Sequence, residues 1–275
     1  MTSENPTNKK GTKYLQIVLV SLLILASLIY FGNFWLKALK KDQTTESVLS
    51  AQEVSTPDTA QTPLSTVSNK TKKPVVELFV MSHCPYGTQM EKAIIPALKT
   101  LGDSVDFQLK FVNYAMHGKP ELDEQLSEFC IQKEQPDKLI SYLECFLEDG
   151  DSQKCVDSTG LNQELLNTCI KSSDEEFAVT KSFEDKSTWK SGSFPPFLIY
   201  EEENKKYGVA GSPTFVVNGE MIQPSSRTPK ALLDTICSAF TNAPEECSQE
   251  LSTEVPIPGF GWESSAADSS DASCN

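Results

Sequence analysis

A short apolar run, Val75 to Met81, leads directly into Ser82-His83-Cys84-Pro85, and a helical pattern follows from Tyr86 to Leu101. A short apolar run bounded in this way is consistent with a buried strand. Pro96 predicts a kink in the helix and Gly102 its stop. Val105, Phe107, Leu109 and Phe111 then alternate with polar residues as far as Asn113, which is strand period. The order is β-α-β with a helical crossover. It also puts the sulfur of Cys84 at a helix N-terminus. The unpaired N–H groups and the dipole there favour thiolate over thiol, and the thiolate is the form that attacks disulfides.

The following region, Glu121 to Trp189, has helical patterning in several pieces. Leu122, Leu126, Phe129 and Cys130 form one stripe, Leu139, Tyr142, Leu143 and Phe146 a second, and Leu161, Leu165 and Leu166 a third. Gly208 to Gly219 reads as a loop, a proline at 213, a strand, and an Asn218-Gly219 hairpin turn. Thr228-Pro229 is an N-cap followed by proline at the first helical position, and Ala231 to Phe240 is the closing helix.

The ends of the chain differ from this middle. Between Lys13 and Lys37 lie 23 residues without a charge. As a helix they extend roughly 35 Å, enough to cross a bilayer. Tyr30, Phe34 and Trp35 sit toward one end, as interfacial aromatics do. A cleaved signal peptide is the competing reading, but the run is long for one and no clean cleavage site follows. Lysines flank the run on both sides, so charge alone does not orient it. Eight cysteines, mostly in the folded region, suit an oxidising compartment and place that region outside the cell membrane. The expected organisation is a cytoplasmic segment over 1–13, a single-pass anchor over 14–36, a disordered linker over 37–73, a folded domain over 74–247 with a helical insertion over about 121–190, and a disordered acidic tail over 248–275. Beyond residue 41 the chain holds 18 basic and 37 acidic residues, a net charge of −19. That balance argues against nucleic acid as a partner.

The Ser82-His83-Cys84-Pro85-Tyr86-Gly87 and Gly208-Val209-Ala210-Gly211-Ser212-Pro213-Thr214-Phe215 motifs, taken with the order of elements, resemble DsbA-like proteins. Asn113-Tyr114-Ala115-Met116-His117-Gly118 and Cys130-Ile131-Gln132-Lys133 look like an archaeal and bacterial branch of them. The resemblance covers roughly residues 74–247. It implies an α/β thioredoxin fold with a helical insertion and a cis bond before Pro213, with that proline packed against Cys84. It also implies thiol–disulfide exchange with protein or small-molecule thiols, with Cys84 as nucleophile and no cofactor. His83, Pro85, Tyr86 and Ser212 then shape the site. The departure is Gly87, where most of the family has a second cysteine. One thiol at the site favours isomerase- or reductase-like action and leaves the resolving thiol to the substrate, a small thiol or a separate redox partner. A chaperone or assembly factor that grips extended polypeptides is the alternative on the same fold.

Apart from Cys84 and Cys274, six cysteines remain, and three bridges among them allow fifteen connectivities. Cys145 with Cys155 and Cys237 with Cys247 share a spacing of ten, which leaves Cys130 with Cys169 to staple the insertion. Cys84 is then the reactive thiol of the oxidised domain, and Cys274 a candidate resolving thiol. Met81, His83, Cys84, Met90, Met116 and His117 are soft ligand types that suit Cu(I). Methionines at helix and strand positions are usually core, so no metal is expected.

Overall fold

The structure, a computed structural model, describes residues 67–262. The expected cytoplasmic segment, the anchor and most of the linker lie outside these residues, as does the end of the tail with Cys274. Among the described residues no helix is long and apolar enough to cross a membrane.

Strand β1 (Val75–Val80) pairs in parallel with β2 (Asp106–Phe111), and helix α1 (Pro85–Leu101) makes the crossover. β1 also pairs, antiparallel, with β3 (Thr214–Val217), which turns through Asn218-Gly219 into the short β4 (Glu220–Met221). Both turn residues have positive φ, the conformation that an Asn-Gly hairpin favours. The sheet order is β2-β1-β3-β4. Thr228 caps α8 (Pro229–Ser238) by accepting from the Ala231 N–H at 3.1 Å, and α8 packs on α1.

β1 is covered on both faces, which is why its sequence does not alternate. Val76, Leu78 and Val80 enter the main core, while Phe79 and Met81 enter a second cluster with Cys84 and Val216. Lys110 on β2 is buried as well, donating to Glu77 at 2.7 Å. The alternation expected through β2 therefore breaks at a charged residue that another charge satisfies.

Between β2 and β3 lie α2 (Lys119–Glu134), α3 (Leu139–Asp149), α4 (Ser152–Ser158), α5 (Gln163–Phe177), α6 (Val179–Glu184) and α7 (Glu201–Tyr207). The first two stripes face inward, with Phe129 only partly buried; in the third, Leu165 is exposed. Disulfides join Cys130 to Cys169, Cys145 to Cys155 and Cys237 to Cys247. The first fixes α2 to α5.

Both edges of the domain differ from the expectation. Val67 and the chain after it belong to the fold: Val67 is buried in the core, and the Thr71 N–H donates to the Ala239 carbonyl at 2.9 Å. The tail from 248 lacks periodicity but is tied down as far as Trp262 by hydrogen bonds to α1 and α3. Its carbonyl groups find donors on neighbouring helices, and that kind of order leaves no hydrophobic period to read.

The Cys130–Cys169 bridge closes a separation of 39 residues, the other two bridges one of ten each. Chain-entropy scaling makes the long bridge worth about 4 kcal/mol and each short one about 3 kcal/mol. Replacing both cysteines of the long pair with alanine should therefore lower stability more than the same change at Cys145 and Cys155. Urea midpoints of the two double variants check this ordering.

Candidate active site

Cys84 is the N-cap of α1, with Pro85 at the first helical position. The junction is tight: the Cys84 N–H donates to the Met81 carbonyl at 2.9 Å, and the Thr88 N–H to the Cys84 carbonyl at 2.9 Å. The sulfur is buried and lies 3.8 Å from the carbonyl oxygen of Ser212. The Ser212–Pro213 bond is cis. Two loops far apart in sequence thus meet at one sulfur, the arrangement the two motifs predict.

Cys84 differs from the expected thiol in one respect: it is disulfide-bonded. The other six described cysteines pair with one another.

Gly87 is packed rather than vacant. A Cβ there would come within 2.7 Å of the Ser212 Oγ and 2.9 Å of the Met81 carbonyl oxygen. The same Oγ accepts from the Met81 N–H at 2.9 Å, so the serine is not free to move aside. Alanine in place of a helical glycine normally gains up to about 1 kcal/mol. Overpacking against a backbone oxygen costs about 1–3 kcal/mol and should win. Gly87→Ala is expected to lower stability, read as a lower urea midpoint; a higher midpoint would show that the junction yields.

The residues around the sulfur divide into a rim and a support. Tyr86 is exposed, and the Arg227 guanidinium lies over its ring at 5.4 Å. His83 is not the exposed cation that a histidine beside a reactive cysteine suggests. Its ring packs edge-on between Phe146 and Phe260, at 5.7 and 5.8 Å between centroids. Burial holds its pKa below the usual value, with Glu121 opposing and His117 adding to the effect. It therefore favours the neutral form.

Glu121 supports the junction and escaped the sequence reading. Its buried carboxylate accepts from the backbone N–H groups of Met116 (2.7 Å), His117 (3.3 Å) and His83 (3.4 Å), and meets His117 Nδ1 at 2.5 Å. It stands in the first turn of α2, where a glutamate can reach back to preceding N–H groups. That placement, three residues after Gly118, was the available signal. Of the soft ligand types, Met81 and Cys84 share the second cluster with Met116 packed against it, Met90 is in the main core, and the Cys84 sulfur is in a disulfide. No group of three or more His, Cys, Asp or Glu side chains suited to a metal occurs among the described residues.

Three further carboxyls, Glu91 on α1 and Glu124 and Glu128 on α2, are buried. Glu124 accepts from Tyr142 Oη at 2.8 Å and from Ser152 Oγ. Burial, and then the charge of Glu124 with Lys92 opposing, pushes Glu91 up to about 8. Burial likewise raises Glu124, and raises Glu128 well above the carboxylate range with help from its acidic neighbours. A raised carboxyl stabilises the fold fully below its unfolded value near 4.5 and loses that contribution as pH climbs through its folded value. Each pH unit in that window costs up to about 1.4 kcal/mol per group. Glu91→Gln cannot ionise, so its stability relative to the wild type should rise steadily from pH 5 to pH 8. Parallel midpoint-against-pH curves for the two proteins would contradict this.

No protein-family model matches the sequence, and no curated protein matches it. Among solved structures the chain is similar to reduced DsbA from Mycobacterium tuberculosis, with 16% identity, a TM-score of 0.44, and 67% of this chain and 94% of that one covered. It is similar to reduced DsbG from the same organism, with 17% identity, a TM-score of 0.44, and 67% and 89% covered. It is also similar to oxidised BdbD from Bacillus subtilis, with 18% identity, a TM-score of 0.41, and 63% and 90% covered. The sheet order, the cysteine capping α1, the cis proline before β3 and the helices inserted between β2 and β3 define the architecture independently. By fold, the chain is a thioredoxin-fold protein with a helical insertion between β2 and β3.

Proposed function

We propose that this is a membrane-anchored, extracytoplasmic thiol–disulfide exchange protein with Cys84 as its nucleophile. The observation that carries the reading is the Cys84 sulfur at the N-terminus of α1, 3.8 Å from the Ser212 carbonyl and next to cis Pro213. On reduction, the helix N-terminus favours the thiolate, the species that attacks disulfides. The backbone of residues 211–213 offers an extended substrate a place beside the sulfur. By this chemistry the substrates are protein or small-molecule thiols and disulfides. Membrane placement rests on the uncharged run between Lys13 and Lys37 and on the cysteine usage.

Gly87 leaves one thiol at the helix start, so a mixed disulfide on Cys84 must be released by a thiol from elsewhere. That requirement favours isomerisation or reduction over stoichiometric oxidation by the local site alone. The test uses the full chain in detergent and measures insulin reduction and reactivation of a scrambled disulfide protein. Cys84→Ser should lower both rates at least 100-fold. Unchanged rates would overturn the reading, and the chaperone alternative would gain if the variant still suppressed aggregation of an unfolded substrate.

A further inference from the structure

The segment from Gln249 to Trp262 returns as a strap across the helix that Cys84 caps. Near its start the Ser252 carbonyl accepts from the Lys230 N–H of α8 at 3.0 Å. Farther on, the Pro256 carbonyl accepts from Gln89 Nε2 at 2.7 Å, and the Gly259 N–H donates to the Pro85 carbonyl at 3.0 Å. Gln89 is buried, and its Oε1 accepts from Arg227 Nη1 at 3.1 Å. The strap thus orients Gln89. Gln89 and the Tyr86 ring, over which the guanidinium lies, together orient Arg227. Tyr86 is exposed and stands two residues after Cys84. An arginine is therefore held in place at the rim of the helix start that carries the sulfur.

Arg227 is the one arginine of the sequence. A guanidinium offers five donors in a planar fork, and the bond to Gln89 uses one. Among the described residues no carboxylate pairs with it, although the chain beyond residue 41 holds 37 acidic residues. The lysines that the same strap touches are engaged: Lys92 with the Gly259 and Gly261 carbonyls, and Lys230 with both oxygens of Asp234 at 2.7 and 2.8 Å. We propose that Arg227 binds a carboxylate of the substrate while Cys84 exchanges with its disulfide, so that the protein selects acidic substrates. The carboxylate belongs to an acidic side chain beside a polypeptide's cysteine or to a small thiol. This proposal rests on the exchange reading above.

In the reduced protein, the Cys84 thiolate attacks a disulfide RS–SR′ in which R carries the carboxylate. The bond between its sulfurs breaks, R′S⁻ leaves, and RS is joined to Cys84. The Cys84 sulfur is oxidised and the departing sulfur reduced; Arg227 takes no part in that balance. Its fork instead gives the carboxylate of R a two-point, charge-assisted hydrogen bond, in a geometry that an ammonium does not offer. The net negative charge of the domain opposes an anionic substrate at a distance. A fixed arginine offsets this at the place where the substrate must dock.

The test uses the full chain in detergent at low ionic strength, reduced and then freed of reductant, with two pairs of disulfide probes. One pair is an acetylated, amidated peptide with a single cysteine next to glutamate or to glutamine, each activated as its 2-thiopyridyl disulfide. The other is oxidised glutathione and its diester, in which both glycine carboxylates are ethylated. Acid quenching at intervals and mass spectrometry give the initial rate of adduct formation on Cys84. In at least one pair the acidic probe should react about threefold faster or more than its neutral twin, the scale of a partly exposed ion pair. Added salt should remove most of that preference, and Arg227→Gln should abolish it. Preference within the peptide pair identifies acidic polypeptides as the source of the carboxylate, and preference within the glutathione pair identifies small acidic thiols. No preference in either pair, a preference that salt leaves intact, or one that Arg227→Gln retains while both rates fall together would overturn the proposal and leave the exchange reading standing. No adduct on Cys84 with any probe would overturn both.

Discussion

The hydrogen bond from the Met81 N–H to the Ser212 Oγ, at 2.9 Å, joins the end of β1 to the loop before β3. Everything around the sulfur depends on that coupling. It sets the Ser212 carbonyl against Cys84 and holds the hydroxyl in the space above Gly87. The bond is buried, so losing it would strand a backbone donor at a cost of about 1–3 kcal/mol. The junction therefore does two things with one side chain. It fixes the relation of the cysteine to the cis proline, and it excludes a second side chain one turn into the helix. The helix start therefore carries one cysteine, Cys84, and a glycine where a further side chain would collide.

Charge placed inside the domain supports the same region. A buried ammonium is costly unless it is fully partnered. Lys92 meets that demand with the Gly259 and Gly261 carbonyls, and burial still pulls it down to about 8, with Glu91 opposing. The strap and the helix thus satisfy each other: its carbonyls gain a donor, and the lysine gains the acceptors that its position requires. On the other side of the junction, Glu121 collects N–H groups from the loop before α2 and from His83. Neither arrangement is a source of net hydrophobic stability. Both fix where the segments next to Cys84 can be.

The parts of the fold legible in the sequence are those that follow a period or a turn rule. The short apolar run of β1, the stripe at Leu139, Tyr142, Leu143 and Phe146, the Asn218-Gly219 turn and the Thr228-Pro229 helix start each state their structure locally. Cys84 and Pro213 were legible through motifs whose meaning depends on their meeting in space. What could not be read depends on tertiary partners. Glu121, Glu124, Glu128 and Lys92 look like the solvated side of a helix until the opposite surface is known to be covered. The strap contains Pro, Gly and acidic residues and resembles disordered chain, because its order comes from donors on α1 and α3. Gly87 reads as a missing cysteine in the sequence; the structure adds that the position is closed by Ser212 and the Met81 carbonyl.

The central claim is that Cys84 exchanges disulfides with other molecules. The most direct measurement is trapping of mixed disulfides in the cells that make the protein. Acid quenching, alkylation and non-reducing electrophoresis would display the mixed disulfides, and mass spectrometry would identify the joined cysteines. The account predicts reducible adducts whose protein-side cysteine is Cys84 and which vanish when Cys84→Ser is added. Adducts that survive that substitution, or a Cys84 that never appears in a mixed disulfide, would contradict it.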